Sequence, residues 1–191
     1  NAVNVETSGA IGQKRLDGYC QQTYGNETIT HDEKSDWCSN IAKDKLNMPW
    51  ITYSLKDKKM KLKGFSIRNG CCYFDCCCVE DGTQIYNCCC DLYSFSLIGS
   101  NDNKTWTTIH KVEKDKTIYR CKSLTYDFAE ADAYKFIRLA QDEEYPGCPL
   151  CMAINQIELY GSTVDDSGII SEESEDDSVS IIGKINRYSD E

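Results

Sequence analysis

Thirteen cysteines dominate the chemistry open to this 191-residue chain. Eight of them crowd into residues 71 to 90: Cys71, Cys72, Cys76, Cys77, Cys78, Cys88, Cys89 and Cys90. Cys20, Cys38, Cys121, Cys148 and Cys151 lie outside that cluster. The odd total leaves at least one thiol unpaired within the chain. Two chemistries fit this density. In the oxidised one the cluster is a disulfide-stapled hairpin. Neighbours along a strand point to opposite faces, so adjacent cysteines there reach different partners. Cys148-Pro149-Leu150-Cys151 could be drawn toward the cluster, and Cys20 and Cys38 could staple the N-terminal segment. In the reduced one, Cys148 and Cys151 have the spacing of a zinc-ligand pair, with Cys76 to Cys78 or Cys88 to Cys90 supplying the second pair. A second Cys-x-x-Cys is absent, and the first lacks the strand-to-helix setting that lowers a thiol pKa for redox work. Compartment rules favour disulfides. Two sequons, Asn26-Glu27-Thr28 and Asn103-Lys104-Thr105, lean the same way.

Nothing else assembles into a reaction centre. His31 and His110 are far apart in sequence, and no nucleophile elbow, His-Glu-x-x-His or phosphate loop is present. Glu143-Glu144 stands beside Tyr145-Pro146-Gly147 and reads as a solvated turn. The chain is not expected to be an enzyme. Its net charge of −10 is uneven. Residues 165–191 carry nine acidic residues against Lys184 and Arg187, whereas the preceding residues carry 22 acidic against 19 basic. Neither part is built to neutralise phosphates, which excludes nucleic acid as a partner.

The elements that must position these residues are strands. Trp50–Leu55 alternates, with Ile51, Tyr53 and Leu55 on one face. In Met60–Arg68 the inward phase begins on Met60 and Leu62 and resumes on Phe65 and Ile67. One extra residue at Gly64 accounts for that slip, because a bulge flips the inward face. Leu92–Ser100, Thr107–His110, Leu124–Phe128, Tyr134–Leu139 and Met152–Tyr160 complete the set, and Ile41–Leu46 reads as a helical turn. Many short strands with polar turns predict an all-β sandwich or barrel. The run from Ser171 to Ser178 is acidic and serine-rich. It cannot bury enough apolar surface to offset chain entropy, so the tail over 163–191 is expected to be disordered.

The order of motifs resembles the discoidin, or coagulation-factor C-type, domain, a galactose-binding-like fold. Trp50-Ile51-Thr52-Tyr53-Ser54-Leu55 resembles the strand that opens that domain, and Trp37 its first-loop tryptophan. Leu97-Ile98-Gly99-Ser100-Asn101-Asp102-Asn103-Lys104-Thr105-Trp106 is the most specific match. Phe136-Ile137-Arg138-Leu139 and Ile154–Gly161 are similar to its last two strands. The resemblance covers about residues 30–162. It implies an antiparallel jelly-roll β-sandwich, with residues 1–29 packing on it and a Cys-rich hairpin insert over 69–91. The insert resembles a Cys-rich variant from protist proteins. Arg138, after two apolar residues, is expected to be a partly buried, paired guanidinium.

The resemblance further implies a binding or adhesion module, with a glycan or a cell-surface protein meeting loops at one end of the sandwich. Tyr73 and Phe74 at the tip of the insert, and Tyr145 before the last strand, are the candidate contacts, since aromatic faces suit sugar rings. Tyr73 and Phe74 could instead pack beneath the cysteines. No cofactor is required, although relatives hold a structural calcium. Asp32, five residues before Trp37, and Glu158 in the last strand are its candidate ligands. The expected location is extracellular or at the cell surface. The alternative is a cytoplasmic protein–protein interaction module with reduced or zinc-bound cysteines. Membrane docking is disfavoured, because the insert carries Asp75, Glu80, Asp81 and Asp91 with no Lys or Arg to meet anionic lipid.

Overall fold

The computed structural model describes residues 3–10, 21–23, 25–29, 35–71, 90–166 and 180–182. Strands dominate. They are β1 (Val3–Thr7), β2 (Gln21–Thr23), β3 (Ser35–Cys38), β4 (Trp50–Leu55), β5 (Lys58–Asn69), β6 (Ser94–Ser100), β7 (Thr107–Val112), β8 (Ser123–Asp127), β9 (Phe136–Glu143), β10 (Ala153–Asp165) and β11 (Ser180–Ile182). One sheet runs β1-β4-β9-β6-β7 and the other β2-β3-β10-β5-β8, with β11 added along β10. Pairing is antiparallel except between β2 and β3. This is the expected all-β sandwich. No described helix is long and apolar enough to cross a membrane.

Period-2 patterning makes the core. Ile51, Tyr53, Leu97, Ile137 and Leu139 project from the first sheet onto Met60, Leu62, Phe65, Ile67, Ile154 and Ile157 of the second, and all are buried. The phase slip in β5 falls one residue before the expected Gly64. Tyr160 pairs with Gly64 and Gly161 with Leu62, so Lys63 is the extra residue. Opposite it Gly161 has φ +153°, and a Cβ there would stand 2.0 Å from the Lys61 carbonyl oxygen.

Several elements differ from the sequence reading. Residues 3–7, expected only within a packing segment, pair in register with β4 and add an edge strand to the first sheet. Trp37, expected in a loop, lies in β3 and is fully buried. The helical turn at 41–46 is instead a turn centred on Asp44, whose Oδ1 accepts from the backbone N–H of Leu46 and Asn47 at 2.9 and 3.1 Å. An aspartate that bonds the backbone two and three residues on competes with a helix. Of the tail expected to be disordered, β10 takes 163–165, and β11 pairs Ile181 and Ile182 with Tyr160 and Leu159. Two adjacent β-branched residues are enough to continue a ladder on an open edge. The acidic run 171–178 lies outside the described residues.

The edges β7 and β8 are bridged by an aromatic cluster. The His110 ring stacks on Phe128 at 5.4 Å and lies 5.3 Å from Tyr126, which itself stacks on Phe65 at 5.0 Å. Burial holds the His110 pKa below its ordinary value of 6.5. The unfolded chain then binds the proton more readily than the folded one. The stability present above pH 6.5 is therefore lost as the pH falls below it. Thermal melts should show a lower Tm at mildly acidic than at mildly alkaline pH, and His110→Gln should flatten that slope. Parallel slopes for the two proteins would refute the assignment.

Candidate functional site at the cysteine end

The cysteine-dense stretch leaves the sandwich at one rim, between the end of β5 and the start of β6. Its neck is built from polar residues. The Asn69 side chain donates to the Asp91 carboxylate and accepts from the Leu92 backbone N–H at 3.2 Å, which ties the two feet together. Asp36, buried in β3, accepts from the Cys71 backbone N–H at 2.8 Å and from Asn155 Nδ2 at 2.9 Å. Gly70 donates to the Ala153 carbonyl and accepts from the Cys121 backbone N–H, at 3.0 and 2.9 Å.

Two disulfides seal this neck. Cys71 bonds Cys121, in the turn before β8, and Cys90 bonds Cys151, just before β10. Cys38 and Cys148 are disulfide-bonded as well. The oxidised reading therefore holds for every described cysteine. The zinc alternative is overturned at Cys90, Cys148 and Cys151, whose sulfurs are committed to disulfides and cannot serve as thiolates. Cys72, Cys76, Cys77, Cys78, Cys88 and Cys89 lie outside the described residues, as do Tyr73, Phe74 and Asp32.

Tyr145 stands beside this neck. Tyr145-Pro146-Gly147-Cys148 closes a turn through a 2.9 Å bond from the Cys148 N–H to the Tyr145 carbonyl, with Gly147 at φ +84°. Proline then glycine at the central positions, the second with positive φ, is the signature of a type II turn. The half-exposed Tyr145 ring meets buried Tyr93 edge-on at 5.6 Å, which fixes its direction. Lys45 bridges to Glu144 at 3.3 Å and joins the Asp44 turn to the same rim. Sequence reasoning missed two exposed apolar side chains here. Tyr119, 54% exposed, stands two residues from Cys121, and Leu46, 94% exposed, tops the Asp44 turn. The signal for Tyr119 was its place beside a cysteine in a turn.

Glu158, expected as a calcium ligand, lies elsewhere, on the outer face of the second sheet. Its carboxylate accepts from Gln156 Nε2 at 3.2 Å and from the Tyr160 hydroxyl at 2.7 Å. Among the described residues, no group of three or more His, Cys, Asp or Glu gathers around a metal position.

At the opposite rim, Arg138 is paired, but with rings rather than a carboxylate. Its guanidinium carbon lies 3.8 Å from the Trp50 ring centre and 4.0 Å from that of Trp106. Its Nε donates to Thr52 Oγ1 at 2.8 Å. Burial lowers the Arg138 pKa, opposed by the charge of Glu6; the group stays cationic, since arginine titrates far above neutrality. Asp102 holds the neighbouring turn by accepting from the Lys104 and Thr105 N–H groups at 2.8 and 2.7 Å. Those bonds hold its carboxyl well below the usual carboxylate range.

No family model and no curated protein matches the chain. Solved structures do. The carbohydrate-binding module CBM32-3 of a family 31 glycoside hydrolase from Clostridium perfringens superposes with a TM-score of 0.56 at 14% identity, over 84% of this chain and 91% of that one. CpGH89CBM32-5 from Clostridium perfringens, in complex with GalNAc-beta-1,3-galactose, gives 0.53 at 11% identity over 82% and 94%. Chitosan-binding module 2 from Paenibacillus sp. IK-5, in complex with chitotriose, gives 0.53 at 15% identity over 83% and 95%. At these identities the likeness is one of fold, and the fold of this chain is the discoidin-like, galactose-binding-like β-sandwich of those modules.

Proposed function

We propose that the chain is a non-catalytic, extracellular saccharide-binding module whose ligand meets the cysteine end. The observation that carries this reading is covalent. Both feet of the insert are disulfide-bonded to the loops that present Tyr119 and Tyr145. A loop held rigid before binding loses little conformational entropy when it meets its ligand. Half-exposed rings, such as Tyr145 on its Tyr93 support, suit the apolar faces of sugars. Two solved structures of the same fold hold a saccharide, one GalNAc-beta-1,3-galactose and the other chitotriose. An oxidising compartment agrees with six disulfide-bonded cysteines among the described residues.

A glycan array on the oxidised full chain, followed by calorimetry with the best ligand, tests the reading. Tyr145→Ala should weaken binding by about tenfold, in line with the worth of a well-placed aromatic contact. The Tyr73→Ala, Phe74→Ala double variant should abolish array binding. Unchanged binding in both variants, with folding intact, would remove the cysteine end as the site.

A further inference from the structure

The structure assigns Asn103 as an N-glycosylation acceptor, on the rim opposite the cysteine end. Two sequons occur, and the fold treats them differently. In Asn26-Glu27-Thr28 the threonine is fully buried. Its hydroxyl bonds the Gly25 carbonyl and the Tyr53 hydroxyl, both at 2.7 Å, so the folded chain withholds that hydroxyl. In Asn103-Lys104-Thr105 both Lys104 and Thr105 are exposed. The triplet lies in the turn between β6 and β7, held by Asp102 as described and by Ser100 Oγ, which accepts from the Asn103 N–H at 2.9 Å.

Asn103 itself has φ +59°, a left-handed conformation that asparagine tolerates better than most residues. Its Oδ1 accepts from Arg138 Nη2 at 3.4 Å. A guanidinium only donates, so this contact settles which end of the amide faces it. Nδ2 is turned away from the guanidinium, and the Trp50–Arg138–Trp106 stack fixes that orientation. Asn101 nearby offers a contrast, since its Nδ2 donates to the Ala133 carbonyl at 3.4 Å and its Oδ1 accepts from the Lys135 N–H at 3.0 Å. At Asn103 a new bond at Nδ2 leaves the Oδ1 contact with Arg138 in place.

The co-reactant is an oligosaccharide carried on a lipid pyrophosphate. A bond forms between Asn103 Nδ2 and the anomeric carbon, and the bond from that carbon to the pyrophosphate oxygen breaks. The lipid pyrophosphate leaves with the electron pair, and Nδ2 gives up one proton. No redox change occurs. The glycan would stand beyond the far end of β6, roughly 20 Å from the neck at the usual rise per strand residue. It would therefore not obstruct a ligand at the cysteine end.

The test is secretion of the full chain from eukaryotic cells, with site mapping after peptide N-glycosidase treatment. The expected result is one glycan at Asn103, marked by conversion to aspartate on release. Thr105→Ala should abolish it and Thr105→Ser should keep it, while neither touches the Asn103–Arg138 contact. If Thr105→Ala is not secreted, the wild-type peptide map decides alone. A secreted wild-type chain unmodified at Asn103, or carrying its glycan only at Asn26, would overturn the assignment. Saccharide binding at the other rim is measured separately, so failure of one proposal leaves the other standing.

Discussion

Phe65→Ala should lower the unfolding free energy by about 3–5 kcal/mol, the usual cost of removing a buried phenylalanine. Phe65 is fully buried in β5. Its ring contacts Tyr126 at 5.0 Å, His110 at 6.0 Å and Phe128 at 6.4 Å. Truncation removes transfer energy and leaves a cavity that neighbours on two different strands cannot collapse to fill. It also removes the support beneath the cluster that bridges β7 and β8, so the open edges should loosen together. For a domain of this size the loss corresponds to roughly 10 °C in Tm. Chemical denaturation under oxidising conditions measures it. A change below about 1 kcal/mol would show that the ring is not a core residue in solution, since such a value belongs to surface substitutions.

Cys90→Ser together with Cys151→Ser should cost about 2–5 kcal/mol and should also weaken saccharide binding. The bond joins residues 61 apart in sequence, so removing it releases a long loop in the unfolded chain. In the folded state it frees one foot of the insert from the segment that carries Tyr145. The Asn69–Asp91 contact and the bond from the Ala153 N–H to the Cys90 carbonyl remain. The sandwich should therefore fold, with the cysteine end less ordered. The coupled outcome separates this disulfide from a purely structural one. A variant that is destabilised yet binds with unchanged affinity would show that the neck does not preorganise the site. Free-thiol counting on the native wild-type protein is the control, with no titratable sulfur expected at Cys71, Cys90, Cys121 or Cys151.

The sandwich was legible wherever alternation was strong. Ile51, Tyr53 and Leu55 announced β4 to the residue, and the slip from Leu62 to Phe65 located the bulge that β10 answers with Gly161. A period of two survives in sequence because each inward side chain must be apolar, whatever its partner is. β3 carried no such pattern. Its four residues, Ser35-Asp36-Trp37-Cys38, become a strand only because β10 on one side and β2 on the other hydrogen-bond to it. Arg138 shows the same division. Its position after two apolar residues implied a sheltered charge, but Trp50 comes from β4 and Trp106 from the turn before β7, and they could be named only once the first sheet was assembled.

The cysteines mark the boundary most sharply. Their density and setting pointed to oxidation, and chain order alone placed the insert between β5 and β6. Which sulfur meets which was open, because vicinal cysteines make many pairings equally short along the chain. Tertiary structure chose Cys71–Cys121 and Cys90–Cys151 by bringing the ends of non-adjacent strands to one rim. Asp36, Asn69 and Asp91, which hold that rim together, carry no mark of that role in the sequence. Polar side chains declare their partners only when the backbone groups they satisfy are in place, and local pattern carries no information about those distances.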